Sequence, residues 1–232
     1  MYTLLKQSCY EANMQLPKLD LVVYTFGNVS EVDREKGVFA IKPSGVPYED
    51  LKIEDIVIVD LDGKVVEGNM RPSSDTKTHA FLYKNWENIG GICHTHSTYA
   101  VSWAQALMDI PNFGTTHADH LTADIPCAPP MADHLIEGDY EFNTGQQILD
   151  CFADRNLTPA EVEMVLVGSH GPFTWGKDAA KAVYNSRVLE EIARMAFLTL
   201  QINPNAPRLK EALIKKHYQR KHGKDAYYGQ GC

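Results

Sequence analysis

A chain of 232 residues, 44% hydrophobic and 22% charged, is long enough for one sizeable core and reads as a soluble globular protein. Its formal net charge of -8, with no Lys/Arg tract before the last twenty residues, argues against nucleic-acid or anionic-membrane binding. It has neither a long apolar run nor a basic segment leading into one, so no membrane span or secretory signal is expected and the cytoplasm is the default.

Residues 2–15 carry Leu4, Leu5, Cys9, Ala12 and Met14 among polar residues, which predicts an amphipathic first helix ended by Pro17. Leu21–Thr25 reads as a short strand before the Gly27-Asn28 turn signal, and Val38–Ile41 as another, running into Lys42-Pro-Ser-Gly45. Ile56–Val59 and Val65-Val66 flank Asp60-Leu-Asp-Gly63, a hairpin signature. The polar loop Arg71–Asp75 leads into a helix through Thr78–Tyr83, and Ile89–Cys93 is a buried strand. Ser97 is placed to cap a helix over Ala100–Leu107, stopped by Pro111, and Thr144 one over Gly145–Phe152. Met164–Gly168 is a strand, and Asp178 to about Leu200 a long helix whose apolar stripe covers the sheet. A last helix spans Leu209–Tyr218. The expected architecture is one α/β domain over 1–232, with a central mixed or largely antiparallel sheet flanked by helices on both faces; the glycine fingerprint of a dinucleotide fold is absent.

Strand period is two, so His94 and His96 are expected on one face at a strand end, and two such imidazoles are natural ligands for zinc or another divalent metal. His170 follows a second buried strand within Ser169-His-Gly-Pro172. Three histidines leave coordination positions open, as a catalytic metal needs. Asp75 is a fourth ligand, a nearby base or a helix cap, whereas His79 and His134 read as exposed or helix-face residues. Lys42-Pro-Ser44-Gly45 and Ser73-Ser74 have the composition of anion-holding loops, to which Asn28 would add an amide, although ordinary turns explain them too. Asp119, between His117 and His120, is a proton shuttle or a cap. The five scattered cysteines, with no CxxC, read as reduced thiols.

Taken together, Gly27-Asn-Val-Ser30, Ile41-Lys-Pro-Ser-Gly45, Pro72-Ser-Ser-Asp-Thr76, His94-Thr-His-Ser97, Gly114–Asp119, Ser169–Phe173 and Lys221-His-Gly…Tyr227-Tyr-Gly-Gln230 resemble the L-ribulose-5-phosphate 4-epimerase group of the class II aldolase/adducin superfamily, essentially end to end. The resemblance implies zinc on His94, His96 and His170, with Asp75 as a further ligand. It implies a substrate phosphate held by Asn28, Lys42, Ser44, Gly45, Ser73 and Ser74. Asp119 and Tyr228 would be opposed acid/base groups, and Thr116, Glu141, His217 and Arg220 supporting residues. Tyr228 would come from an adjacent subunit of a homotetramer, through a tail of about 217–232. His120 stands where the group would have an aromatic residue.

The implied substrate is a small sugar phosphate, of arabinose or ascorbate-type catabolism, with no nucleic-acid or membrane partner. C4 of L-ribulose 5-phosphate bears no acidic proton, so epimerisation there would proceed by retro-aldol cleavage of C3–C4, rotation of the aldehyde and re-formation of the bond. A class II sugar-phosphate aldolase of the L-fuculose 1-phosphate kind, or a non-enzymatic adducin-like domain, is the alternative.

Overall fold

A computed structural model describes residues 2–224, 226 and 227. Its strands are β1 (Asn28–Asp33), β2 (Val38–Ile41), β3 (Val57–Asp60), β4 (Val65–Glu67), β5 (Gly91–His94), β6 (Cys127–Ala128), β7 (Met164–Val167) and β8 (Gly171–Gly176). They form one sheet in the order β4-β3-β2-β1-β5-β8-β7-β6. Neighbours are antiparallel except the short β6–β7 pair at one edge. The helices are α1 (Thr3–Asn13), α2 (Gln15–Lys18), α3 (Thr76–Asn85), α4 (Thr98–Gln105), α5 (Thr115–Ala118), α6 (Asp133–Ile136), α7 (Tyr140–Asp154), α8 (Ala179–Ile202) and α9 (Glu211–His222). Among the described residues no helix is long and apolar enough to cross a membrane.

Strand alternation divides the core between the two faces of the sheet. Val38, Ala40 and Ile58 pack with Cys9 of α1, while Val29 and Cys93 pack with Ala179, Ala182 and Val183 of α8. On the other face Phe39, Ile41, Val57, Val59, Ile92 and Trp175 meet Tyr83 and Trp86 of α3 and its C-terminus and Phe152 of α7. Trp86, Phe152 and Trp175 are mutually tilted at centroid distances of 4.8–5.4 Å. Helices therefore cover both faces, as expected.

Several local expectations are corrected. The first helix breaks at Met14, and Pro17 lies inside the short α2 rather than ending α1. Leu21–Thr25 is not a strand: Leu21 is buried against α2, and Tyr24 takes a left-handed backbone at φ 56°. The strand is instead Asn28–Asp33, whose polar residues are held by tertiary partners. Thr144 lies within α7 and donates to Tyr140 O rather than capping the helix. Ser97 stands at the N-cap of α4, but its side chain does not cap it. Helix α4 ends before Leu107, at φ 55°, rather than at Pro111.

Candidate functional site

The sheet register assembles the site. β5 ends at His94, which lies opposite Asn28 of β1 on one side and Phe173 of β8 on the other. Phe173 stacks on the His94 ring at 4.2 Å and 19°. The turn into β1 must pass close to β5: Gly27 has φ +75°, and a Cβ there would lie 2.9 Å from the His94 carbonyl oxygen. On the far side of His94, the turn from β7 to β8 places Ser169 at φ 62° and turns His170 toward the end of β5.

The three histidines meet although β5 ends before His96. Ring centroids lie 4.9 Å apart for His94–His96, 4.8 Å for His94–His170 and 5.2 Å for His96–His170. One nitrogen from each lies within 4.8 Å of the others. His94 Nδ1–H donates to Pro172 O at 2.9 Å, leaving Nε2 as a lone pair facing His96 Nε2 at 3.0 Å. Metal–nitrogen bonds of about 2.0 Å at tetrahedral angles put ligand nitrogens about 3.3 Å apart, so the set fits a divalent cation. Burial, then the neighbouring imidazoles, holds His170 down to about 3 and lowers His96, so both are neutral ligand bases at neutral pH. Tyr140 of α7 brings its hydroxyl within 3.3 Å of His170 Nδ1.

Asp75, expected as a fourth ligand, is outside this converging set. It is the N-cap residue of α3, and its Oδ2 accepts Asn28 Nδ2–H at 2.6 Å. Burial pushes its carboxyl upward, but His94, His79 and the Asn28 amide together hold it below its ordinary range. His79 is not exposed: it is fully buried on α3, with Nδ1 2.7 Å from Ser30 Oγ, which also meets the Tyr83 hydroxyl. Burial lowers its pKa to about 3. His134 is exposed, as expected.

The histidines open into a cavity of about 470 Å³ that also contains Asn28, Lys42, Ser44, Gly45, Ser73, Ser74, Asp75 and Glu141. The loops after β2 and before α3 are joined by Ser44 N to Arg71 O at 2.9 Å and Ser73 N to Lys42 O at 3.0 Å. Lys42 is 1% exposed, donates to Val46 O at 2.7 Å, and lies 4.8 Å from the Tyr48 ring centroid. Among the described residues no carboxylate pairs with it. Burial alone lowers its pKa to about 8. A buried cation without a carboxylate, beside two serine-bearing loops, is suited to an anion.

This predicts a pH effect. A phosphate monoester stays largely dianionic above pH 7, whereas free Lys42 loses its charge as pH rises through about 8. KM for a sugar phosphate should therefore climb between pH 7.5 and 9, with a smaller change in kcat. Lys42→Met should raise KM about 10- to 100-fold and flatten that climb. The same depressed pKa costs folding stability at neutral pH, because the unfolded chain binds the proton more tightly; that cost is relieved between about pH 8 and 10.5. Steady-state profiles of both proteins check the first effect and denaturant titrations the second.

Other expected residues lie elsewhere in the single chain. Asp119, just after α5, accepts His217 Nδ1–H at 2.9 Å and Arg220 Nε–H and Nη2–H at 3.0 and 2.7 Å, with Lys221 Nζ at 3.5 Å. Burial would raise its pKa, but these groups on α9 lower it to about 2. Thr116 lines a separate, largely apolar cavity between α5 and the C-terminal part of α8. Tyr228 lies outside the described residues. Sequence reasoning missed Tyr140 and Phe26, which line the histidine cavity. Neither lies in a motif, although Phe26 adjoins the quoted Gly27-Asn28 pair and its ring is 6.0 Å from that of His96.

Residues 7–197 match the family described as Class II Aldolase and Adducin N-terminal domain. The chain is 52% identical over 226 residues to L-ribulose-5-phosphate 4-epimerase UlaF of Salmonella paratyphi A, covering 97% of this chain and 98% of that one. Its fold superposes on L-fuculose 1-phosphate aldolase with a TM-score of 0.77, at 25% identity over 93% of this chain and 95% of the other. The L-fuculose 1-phosphate aldolase of Glaciozyma antarctica PI12 gives 0.76 at 16% identity, over 97% and 84%, a likeness of fold alone.

Proposed function

Because the chain belongs to the class II aldolase/adducin family, we propose that it interconverts L-ribulose 5-phosphate and D-xylulose 5-phosphate by breaking and re-forming C3–C4. The carrying observation is the convergence of three imidazoles on the cavity that holds the buried, carboxylate-free Lys42. The near-full-length likeness to an epimerase favours epimerisation over release of two fragments.

His94, His96 and His170 would hold the metal, which we take to be zinc. A bound divalent ion supplies Lewis acidity toward the negative charge that develops on the C2 oxygen. Lys42, with Asn28, Ser44, Gly45, Ser73 and Ser74, would hold the phosphate. A base removes the proton from the C4 hydroxyl; the C3–C4 electron pair passes toward C2, giving an enediolate and glycolaldehyde phosphate. Held by its phosphate, the aldehyde turns its other face, the bond re-forms, and a proton returns to the C4 oxygen. Asp75 keeps a negative charge at the cavity wall, and Tyr140 orients His170, with Glu141 beside it.

Asp119 and Tyr228 are the acid/base pair in this reading. Arg220 and His217 keep Asp119 ionised, the state a proton acceptor must be in, while lowering its basicity in the single chain. Asp119 does not line the histidine cavity of its own chain, so we place the two groups at a neighbour's site in a cytoplasmic homotetramer, each chain being one domain whose tail from about 217 serves that contact. Thr116 would support the same contact.

The test is turnover of L-ribulose 5-phosphate by metal-loaded and chelator-stripped protein, following D-xylulose 5-phosphate and free glycolaldehyde phosphate. Metal-dependent epimer with little free aldehyde is expected. Aldehyde as the main product would move the assignment to an aldolase, and no turnover by zinc-loaded protein would overturn the substrate. Light scattering of the active protein should give four copies; an active monomer would overturn the shared site.

A further inference from the structure

His96 lies in a short loop between β5 and α4; Thr95 N–H reaches Pro172 O of β8 at 3.4 Å, and further holds on the loop come from α8. Helix α4 receives no cap from Ser97, whose extended backbone would otherwise suit it. Instead the two first-turn amides that an N-cap side chain would satisfy, Tyr99 N–H and Ala100 N–H, donate to Glu190 Oε1 and Oε2, each at 2.9 Å. Glu190 is 9% exposed, and among the described residues no lysine or arginine pairs with it. Its charge therefore faces the positive end of α4.

One turn earlier on α8, buried Ser186 brings its hydroxyl within 3.5 Å of Thr95 Oγ1. Helix α8 thus touches the loop on both sides of His96, while its N-terminal part packs against β5 and β8, between which His94 lies. A serine cap would end the helix equally well without burying a carboxylate. Farther along α4, Trp103 Nε1–H donates to Ala193 O at 3.0 Å, so α4 and α8 are already tied; what Glu190 adds is a tie at the end of α4 nearest His96.

We propose that Glu190 is a positioning residue for the metal centre, holding His96 in register with His94 and His170 through the N-terminus of α4. The inference rests on the reading of these histidines as metal ligands. Glu190→Gln keeps the size but leaves an NH2 facing one of the two amides, so the grip is halved. Glu190→Asp keeps the charge but shortens the reach by one methylene.

The test measures Zn²⁺ affinity of metal-free protein by competition with a chromogenic chelator, and the visible spectrum of the Co²⁺ form, with circular dichroism to confirm folding. Both variants should bind Zn²⁺ about 10- to 100-fold more weakly, the usual effect of losing an outer partner of a ligand, and show altered Co²⁺ bands. A role confined to capping would lower the melting temperature of the metal-free protein and leave the affinity of the folded protein unchanged. Wild-type affinity and spectrum in folded Glu190→Asp would overturn the proposal, and that variant decides alone should Glu190→Gln not fold. Failure of the wild-type protein to bind either metal would overturn the metal reading beneath it.

Discussion

His96→Ala is expected to abolish tight metal binding and to lower kcat about 10³-fold, equivalent to about 4 kcal/mol of transition-state stabilisation. His96 is the most informative of the three histidines to remove. It is exposed, whereas His94 is 2% exposed and stacked on Phe173, so truncating His94 would damage packing as well as the metal site. With His96 gone, His94 and His170 remain as two ligand side chains on the cavity, too few to outcompete a chelator. Metal content after dialysis, kcat at saturating metal and an unfolding curve without metal separate the effects. Unchanged stability with lost metal and lost turnover is the expected combination. Full activity in metal-free His96→Ala would refute the assignment.

Gly91→Ala is expected to be the most damaging single methyl group in the sheet. A Cβ at Gly91 would lie 2.3 Å from Ala179 N and 2.4 Å from Asp178 C and O, all main-chain atoms at the start of α8. They have little room to move, because Ala179 N–H donates to Glu31 at 2.8 Å and Asp178 caps the helix by accepting Lys181 N–H at 2.7 Å. Accommodating the methyl means lifting α8 off β5. We expect about 4 kcal/mol of lost stability, at the upper end for overpacking, with metal affinity falling alongside because β5 carries His94. Gly114→Ala is the control: nothing lies within 4 Å of its Cβ, and the change should stay within about 0.5 kcal/mol. Denaturant titrations of the three metal-free proteins check both expectations.

The histidines were legible because each follows an apolar run, and such runs announce buried strands. β1 was not, because Asn28-Val-Ser-Glu-Val-Asp33 looks like a surface loop until its partners are known. Asn28 is bonded to Asp75, Ser30 to His79 and Glu31 to the start of α8, and no local pattern records these contacts. Leu21–Thr25 failed in the opposite sense: a β-prone run carries a residue with positive φ. His79 looked ordinary because burial of a helical histidine depends on a strand some fifty residues earlier, its bonded partner Ser30 being 49 positions away. Glu190 was likewise invisible, since its role lies entirely in amides 90 and 91 residues away.

The row Asn28–His94–Phe173 has a consequence for how the protein matures. During synthesis His94 and His96 leave the ribosome well before His170, so an early ion would meet only two of its three imidazoles. The third arrives when β8 pairs with β5, a step that forms main-chain hydrogen bonds and buries Phe173 and Trp175 whether or not an ion is bound. Folding is therefore expected to precede loading, so that the finished sheet can be emptied and refilled without unfolding. A cell short of one divalent metal would accumulate folded, inactive protein able to recover without new synthesis.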